Sequence, residues 1–253
     1  MNKKSLTIGL CAAAVAATLS AQEAAVYPGS SSYYVGSNEP GMELSIGFGL
    51  MDLDKDRTGI DEDGFALLMD FRFNIPSSIV DFELRTYGGA FSFDDGYGPF
   101  VTDLNGKNDG KFYLENQDYS IFGLSFAMLA NMNRAGAVNP YVGVGLLVEG
   151  WDYTTDVFVS DGRHYSWPYT VSEDDSGVTF VARAGIDFRL DACYLRLDAS
   201  YLGEIYDADD GGQFDLYADI GFYVTQNVRI DAFCDYFTEY KSFIGTLGIT
   251  LAF

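Results

Sequence analysis

Large apolar residues alternate with small or polar residues along much of the chain after residue 41. At the start of this pattern, Leu44, Ile46 and Phe48 are separated by Ser45 and Gly47. A period of two is typical of a β-strand with one apolar face and does not fit a helix. The same period predicts ten strands, each about as long as a bilayer requires: 42–51, 65–74, 82–91, 119–130, 141–151, 178–190, 193–201, 214–224, 228–237 and 243–253.

The last predicted strand ends in an aromatic residue. Its apolar face carries five large side chains: Phe243, Leu247, Ile249, Leu251 and Phe253. This strand resembles the closing strand of bacterial outer-membrane β-barrels, in which a terminal Phe or Tyr after alternating apolar residues is read by the insertion machinery. The resemblance implies that these five residues form a barrel-insertion signal and that the barrel assembly machinery is a partner. It also implies that the protein is integral to the bacterial outer membrane.

The N-terminus has the pattern of a secretory signal peptide. Lys3 and Lys4 precede an apolar stretch over residues 6–19, and Ser20 and Ala21 follow it. The stretch is shorter than the roughly 20 residues that a spanning helix needs. We therefore expect export, cleavage after residue 21, and a flexible periplasmic segment over residues 22–41. A plug formed by that segment is the alternative.

Two classes of connection alternate between the predicted strands. The first class includes the long, acidic, Gly-rich loops: 54–64, 92–118, 152–177, 202–213 and 238–242. The second class is mostly tight: 75–81, 131–140, 191–192 and 225–227. Long external loops and short periplasmic turns are the rule in membrane barrels, and placing both termini on the periplasmic side requires an even strand count. The sequence therefore predicts an all-β, transmembrane, antiparallel up-and-down barrel over residues 42–253, with ten strands, or eight as the alternative.

Composition and charge narrow the choice of partners. The chain has 18 Tyr, 20 Phe and 28 Gly, as expected of a many-stranded protein with aromatic belts. Its formal net charge is −22, and losing Lys3 and Lys4 with the signal would leave 13 basic against 37 acidic residues. Binding to nucleic acid requires positive patches, so we expect no nucleic-acid partner. Divalent cations and basic molecules are the matching counter-charges.

Strand parity assigns sixteen charged residues to the barrel lumen: Glu43, Asp70, Arg72, Glu83, Arg85, Glu149, Arg183, Asp187, Arg189, Arg196, Asp198, Asp215, Asp219, Arg229, Asp231 and Asp235. Unpaired charges in a water-poor interior cost several kcal/mol each, so we expect a hydrogen-bonded network. Pairing on adjacent strands suggests Arg72 with Glu83, Arg189 with Asp198, and Arg229 with Asp219 or Asp215. A structural core is the favoured interpretation, and a catalytic or ion-conducting cluster is the alternative.

Inward-facing glycines leave the state of the lumen open. They lie at positions 47, 49, 143, 145, 185 and 221. They either accommodate the long lumen side chains or leave a narrow wet path.

Candidate metal and catalytic residues are few. Asp52, Asp54, Asp56 and Asp61 superficially resemble a calcium loop, but the turn glycine of an EF-hand is missing. They are weak candidates for loosely bound divalent cations, and we expect no other cofactor. Ten-stranded barrels include the omptin-like surface proteases, but the chain lacks their Asp-x-His pair. The only histidine, His164, is expected to be a solvent-exposed loop residue, and no catalytic residue is assigned.

Two cysteines remain after signal removal, Cys193 and Cys234. Both have outward parity, on the seventh and ninth strands. Their predicted heights differ by more than a disulfide permits. We expect two thiols that face lipid and form no disulfide.

Signal, alternation and terminal Phe together resemble the small surface barrels of the OmpA-like, OmpX-like and opacity type. The resemblance spans nearly the whole mature chain. It implies a non-enzymatic barrel that lies among outer-membrane lipid and lipopolysaccharide. Its acidic external loops would serve adhesion, host or matrix contact, or envelope integrity. The alternative is a narrow channel or porin for small solutes or cations.

Overall fold

The computed structural model describes residues 41–52, 63–75, 78–96, 111–134, 136–160, 169–190, 192–203, 212–238 and 242–253. Within these ranges the chain forms ten β-strands: β1 (Met42–Asp52), β2 (Asp63–Asn74), β3 (Val80–Gly96), β4 (Lys111–Asn131), β5 (Val138–Ser160), β6 (Tyr169–Arg189), β7 (Cys193–Leu202), β8 (Gln213–Thr225), β9 (Val228–Phe237) and β10 (Ser242–Ala252). The described residues contain no helix long and apolar enough to cross a bilayer.

The strands form one closed antiparallel barrel in which each strand pairs with its neighbours in sequence. The barrel closes between β1 and β10, where Ile46 lies opposite Ile249. The prediction of an all-β, ten-stranded, up-and-down barrel is confirmed. The four short turns also lie where alternation placed them, and together they define the periplasmic end.

The outer surface of the barrel is a continuous apolar belt. Every second side chain along the spanning part of each strand faces outward, and many of the large ones are more than half exposed, for example Phe48, Leu146, Phe180 and Leu247. Such a surface is unstable in water and is suited to lipid. At the outer end of β6, β7 and β8, aromatic rings pack in series, with centroids 5.8 Å apart for Phe180–Tyr201 and 5.5 Å apart for Tyr201–Phe214.

Four strands continue beyond the belt as a sheet, which is the main departure from the predicted strand limits. Residues 92–96, 111–118, 152–160 and 169–177 are strands rather than loop, and we call them the protruding sheet. Period-two apolarity weakens beyond the belt because acidic and hydroxyl side chains replace most of the large apolar ones, although Thr155 and Val157 on β5 are buried. The β-branched and aromatic run Tyr153, Thr154, Thr155 was the remaining strand signal in the sequence.

An arginine in the turn between β4 and β5 joins this turn to its neighbour at the periplasmic end of the barrel. Arg134, in the turn between β4 and β5, forms an ion pair with buried Asp81. It also donates hydrogen bonds of 2.7 Å to the backbone oxygens of Ile75 and Ser78 in the preceding turn. Arg189 donates to the backbone oxygen of Arg134 at 3.0 Å. Two neighbouring turns on the periplasmic rim are thereby held together.

Candidate functional site: the filled lumen and the protruding sheet

The structure places all sixteen predicted lumen charges on the inner side of the barrel. Fourteen are buried, whereas Glu43 and Arg189 are half-buried near the periplasmic end. Eleven of them form what we call the ionic layer: Arg72, Arg85, Arg183, Arg196, Arg229, Asp70, Glu83, Asp187, Asp198, Asp219 and Asp231. Alternation along a strand forces each of these side chains inward, because a shift of one residue would place them all in lipid.

Several ion pairs in this layer cross the lumen, in addition to those that join adjacent strands. Arg196 on β7 reaches Asp70 on β2 at 3.2 Å, and four strands separate them in either direction around the barrel. Arg196 also reaches Glu83 on β3 at 2.5 Å. Glu83 receives Arg183 as well, from β6. Strands β6 and β7 of one wall are therefore tied to β2 and β3 of the opposite wall.

Two of the three predicted pairings are wrong, the first because the arginine reaches across the lumen and the second because the nearer carboxylate lies on the arginine's own strand. Arg72 lies opposite Glu83 in the β2–β3 register, yet its guanidinium pairs across the lumen with Asp187 at 3.1 Å. Arg189 lies 3.8 Å from Asp187 rather than pairing with Asp198. A long side chain that starts on a narrow barrel wall reaches the far wall as readily as its neighbour.

The third predicted pairing is present. Arg229 donates to Asp219 on the neighbouring strand at 2.9 Å and also pairs with Asp231. Asp231 accepts a hydrogen bond of 2.5 Å from Thr250. Thr250 lies 2.7 Å from the hydroxyl of Ser45, which extends the polar network across the β1–β10 closure.

Aromatic residues complete the ionic layer. The guanidinium carbon of Arg85 lies 3.7 Å from the ring centre of Tyr217. The Tyr141 hydroxyl donates to Asp198 at 2.8 Å and accepts from Arg196 at 2.7 Å. Such contacts stabilise buried guanidinium groups that have lost their water. Sequence parity gave these tyrosines inward positions but assigned them no role.

The inward glycines accommodate these long side chains. A Cβ at Gly185 would overlap the Tyr141 ring, and one at Gly221 would overlap Asp231 and Arg229. A Cβ at Gly47 would lie 2.8 Å from the ring of Phe233. Of the two interpretations left open by the sequence, the structure supports the filled lumen at these positions.

A second lumen layer, toward the outer end, is apolar. Its members come from seven strands, are each at most 7 % exposed, and were missed by sequence reasoning as a group: Met51, Tyr87, Phe91, Leu147, Val181, Leu202, Phe237 and Ile244. We call them the apolar layer. The signal was present, because these positions are inward by parity and lie near the external ends of their strands. Tyr87 of the apolar layer donates to the buried carboxylate of Glu149.

The protruding sheet presents acidic groups to solvent. On β6, Glu173, Asp174 and Asp175 are exposed, as is Asp152 on β5. Residues 117–118, 152–157 and 170–177 contain no Lys or Arg. These three ranges carry negative charge only and therefore attract cationic groups.

Comparison with solved structures relates the barrel to proteins of bacterial outer membranes. No protein-family model and no curated protein matches the sequence. The outer membrane protease OmpT of Escherichia coli aligns with 88 % of this chain and 100 % of its own, at 10 % identity and a TM-score of 0.50. This chain has the fold of an outer-membrane β-barrel. Two further barrels are more distantly similar. Ail of Yersinia pestis is 13 % identical and has a TM-score of 0.41, and the alignment covers 85 % of this chain and 100 % of Ail. Neisserial surface protein A is 10 % identical and has a TM-score of 0.37, and the alignment covers 86 % of this chain and 100 % of that protein.

Outer-membrane localisation follows from this fold together with the apolar belt. The fold alone does not carry an activity, since similar barrels serve different roles. Four residues of the predicted insertion signal lie on β10 and Phe253 follows it directly; Leu247, Ile249 and Phe253 are more than half exposed toward the lipid side. Their reading by an assembly machinery stays a prediction.

The remaining predicted site residues fall largely outside the described ranges. Asp54, Asp56, Asp61 and His164 lie there, as do residues 1–40 with the predicted signal peptide. Asp52 ends β1 opposite residue 63 of β2. Among the described residues no group of three or more His, Cys, Asp or Glu side chains is arranged to hold a metal ion.

The two cysteines form no disulfide with each other. Cys193 lies opposite Phe222 of β8, whereas Cys234 lies opposite Ala218 of the same strand. Both have outward parity and are partly exposed on the lipid side.

Proposed function

We propose that the protein is a non-enzymatic outer-membrane barrel that holds an acidic protruding sheet rigidly outside the cell for contact with external molecules. The barrel is the anchor, and the protruding sheet is the working surface. Lipid and lipopolysaccharide surround the apolar belt, and the barrel assembly machinery inserts the chain through β10. No resident cofactor is needed, although divalent cations bind loosely to the acidic outer surface.

The observation that carries this proposal is the bracing of the lumen by ion pairs from opposite walls. Arg196 alone joins β7 to Asp70 on β2 and to Glu83 on β3. An open channel would leave these groups separated by water, as in larger barrels. The apolar layer above them adds a second barrier, because ions do not cross a dry constriction readily. Both features favour a closed barrel that anchors the protruding sheet over a narrow channel, which the acidic excess and the inward glycines also suggested.

Absence of enzymatic activity is part of the proposal. The buried carboxylates of the ionic layer are neutralised by arginine and lie beneath the apolar layer, away from any external substrate. A catalytic base near neutral pH is most often histidine, and the chain has only His164. We therefore expect intact cells that carry the protein to cleave a mixed library of fluorogenic peptides no faster than cells without it.

Surface labelling tests the display of the protruding sheet. Ser172 on β6 is exposed, and Gln226 in the β8–β9 turn is exposed at the opposite end of the barrel. A membrane-impermeant maleimide should label Ser172→Cys on intact cells, and should label Gln226→Cys only after lysis. The wild-type chain measures background from Cys193 and Cys234. Labelling of Gln226→Cys but not of Ser172→Cys on intact cells would show that the barrel has the opposite orientation, and would overturn the proposal.

A further inference from the structure

Among the residues that the structure describes, the outer half of β6 has no partner strand on its β7 side. Within the described ranges, β5 pairs with β6 from Tyr169 onward, but β7 pairs with it only from Val181 to Arg189. In this part of the chain, residues 169–179 of β6 therefore pair with a described strand on the β5 side only. Such an edge presents a row of backbone donors and acceptors that can pair with another extended chain.

Two hydrogen bonds identify which backbone groups face the open edge. On the β7 side, the Phe180 oxygen accepts from the Gly203 nitrogen at 3.1 Å. On the β5 side, the Arg189 nitrogen donates to the Ala137 oxygen at 2.7 Å. A residue in an antiparallel strand directs its N–H and C=O to the same side, and successive residues alternate. The even-numbered residues from Thr170 to Val178 therefore point their backbone groups at the open edge, and Phe180 marks where pairing on the β7 side begins.

Charge selects the kind of chain that this edge would accept. Glu173, Asp174 and Asp175 lie on the edge strand itself, and Asp152 and Asp156 lie on its β5 neighbour. A second copy of the same edge would bring like charges opposite one another, which destabilises a strand pair. An extended chain with alternating Lys or Arg would place opposite charges against the edge.

We propose that the outer edge of β6 is a docking site for an extended basic peptide segment, which adds to the protruding sheet as a further antiparallel strand. Backbone hydrogen bonds to Thr170, Ser172 and Asp174 hold the segment, and the acidic side chains select it. Strand addition to a free edge is a general mode of peptide recognition. This inference rests on the proposed function, because it requires the protruding sheet to be outside the cell.

A pair of matched peptides separates strand addition from simple charge attraction. The probe is a fluorescent peptide as long as the free edge, with Lys at every second position and Thr or Val between. The control peptide has the same sequence with alternate backbone nitrogens methylated, which keeps the charge and removes one row of donors. Anisotropy with the full-length protein in lipid nanodiscs should show binding of the probe at least about tenfold tighter than of the control, since several backbone hydrogen bonds are lost. Equal binding would overturn the proposal.

Protein variants locate the site on β6. Ser172→Pro removes an edge-facing N–H without removing a β5 ladder bond, and proline is tolerated on edge strands. It should weaken probe binding roughly tenfold, as expected for loss of a hydrogen bond with disturbance of its neighbours. Replacing Glu173, Asp174 and Asp175 by their amides should remove most of the salt dependence of binding. Unchanged binding by Ser172→Pro, with its barrel intact by heat-modified gel migration, would exclude this edge.

The chain's own residues 204–211 are the competing occupant. If probe binding appears only after these residues are replaced by a short Gly-Ser linker, the edge belongs to that segment and the proposal is wrong. Labelling of Ser172→Cys on intact cells reports the display of the sheet independently. Successful labelling without probe binding would overturn the docking site and leave the proposed function standing.

Discussion

Arg196 donates to Asp70 across the full width of the barrel, with 3.2 Å between Nη1 and Oδ2. The two residues lie on β7 and β2, which are diametrically opposite in a ring of ten strands. Ion pairs that cross the lumen in this way connect opposite walls of the barrel and resist its deformation. This relationship makes the barrel a rigid support for the sheet above it.

Loss of Arg196 should destabilise the whole barrel. Arg196→Met leaves Asp70 and Glu83 buried without this partner, and breaking a buried ion pair on one side typically costs about 3–5 kcal/mol. Urea unfolding in lipid vesicles, followed by tryptophan fluorescence and gel migration, measures the free energy of unfolding. Glu173→Gln, on the exposed part of β6, is the control and should leave that free energy unchanged. Equal stability of the two variants would mean that the ionic layer is not a brace.

Adding a methyl group at position 185 should also destabilise the barrel. Gly185→Ala would push the Tyr141 ring away from Asp198 and Arg196, and overpacking of this kind typically costs about 1–3 kcal/mol. Gly88→Ala is the matched control, because its outward Cβ would lie 3.4 Å from the nearest backbone oxygen, that of Ile121. The unfolding midpoint should fall for the first variant only. A fall of the same size for both would contradict the packing described for the lumen.

The barrel should not depend on the protruding sheet. The ionic and apolar layers lie on the barrel side of Gly150 and Ser176, which face each other in the β5–β6 register. Joining these two residues through a short turn should therefore preserve heat-modified migration and the unfolding midpoint, which is followed by gel migration because the excised segment contains both tryptophans, Trp151 and Trp167. It should also abolish binding of the basic peptide probe. A chain that no longer inserts would show that the sheet is part of the folding unit.

Oxidation should not join Cys193 to Cys234. Their partners on β8 are four residues apart, which is about 13 Å along the strand, and two strand spacings add roughly 10 Å across it. A disulfide tolerates only about 7 Å between Cα atoms. The mass of the intact protein should be unchanged by reduction after oxidising purification. Loss of two hydrogens through an intramolecular bond would contradict the register.

Much of the fold was readable from period-two alternation. The outward positions of Phe48 and Leu247 and the inward positions of Asp70 and Arg196 all follow from one rule, because lipid accepts only one face of each strand. Strand count and turn placement followed from the same pattern. Barrel closure then required no further information.

Contacts across the lumen could not be read in the same way. Adjacent-strand logic paired Arg72 with Glu83, but strand tilt and barrel width decide which far residue a long side chain meets, and neither is encoded locally. The protruding strands were missed because acidic and hydroxyl side chains interrupt the apolar alternation, for example along residues 172–176 of β6. The apolar layer was missed because its members, such as Met51 and Phe91, end their predicted strands one at a time.

Planar-bilayer recording of the refolded full-length chain tests the filled barrel most directly. A general porin in a separate membrane of the same lipid composition is the positive control. Because the ionic layer crosses the lumen and the apolar layer covers it, the protein should insert and remain electrically silent. Stable open-state conductance that changes on Asp219→Lys or Asp231→Lys would show a continuous ion path along these groups. That result would contradict the account and favour a channel.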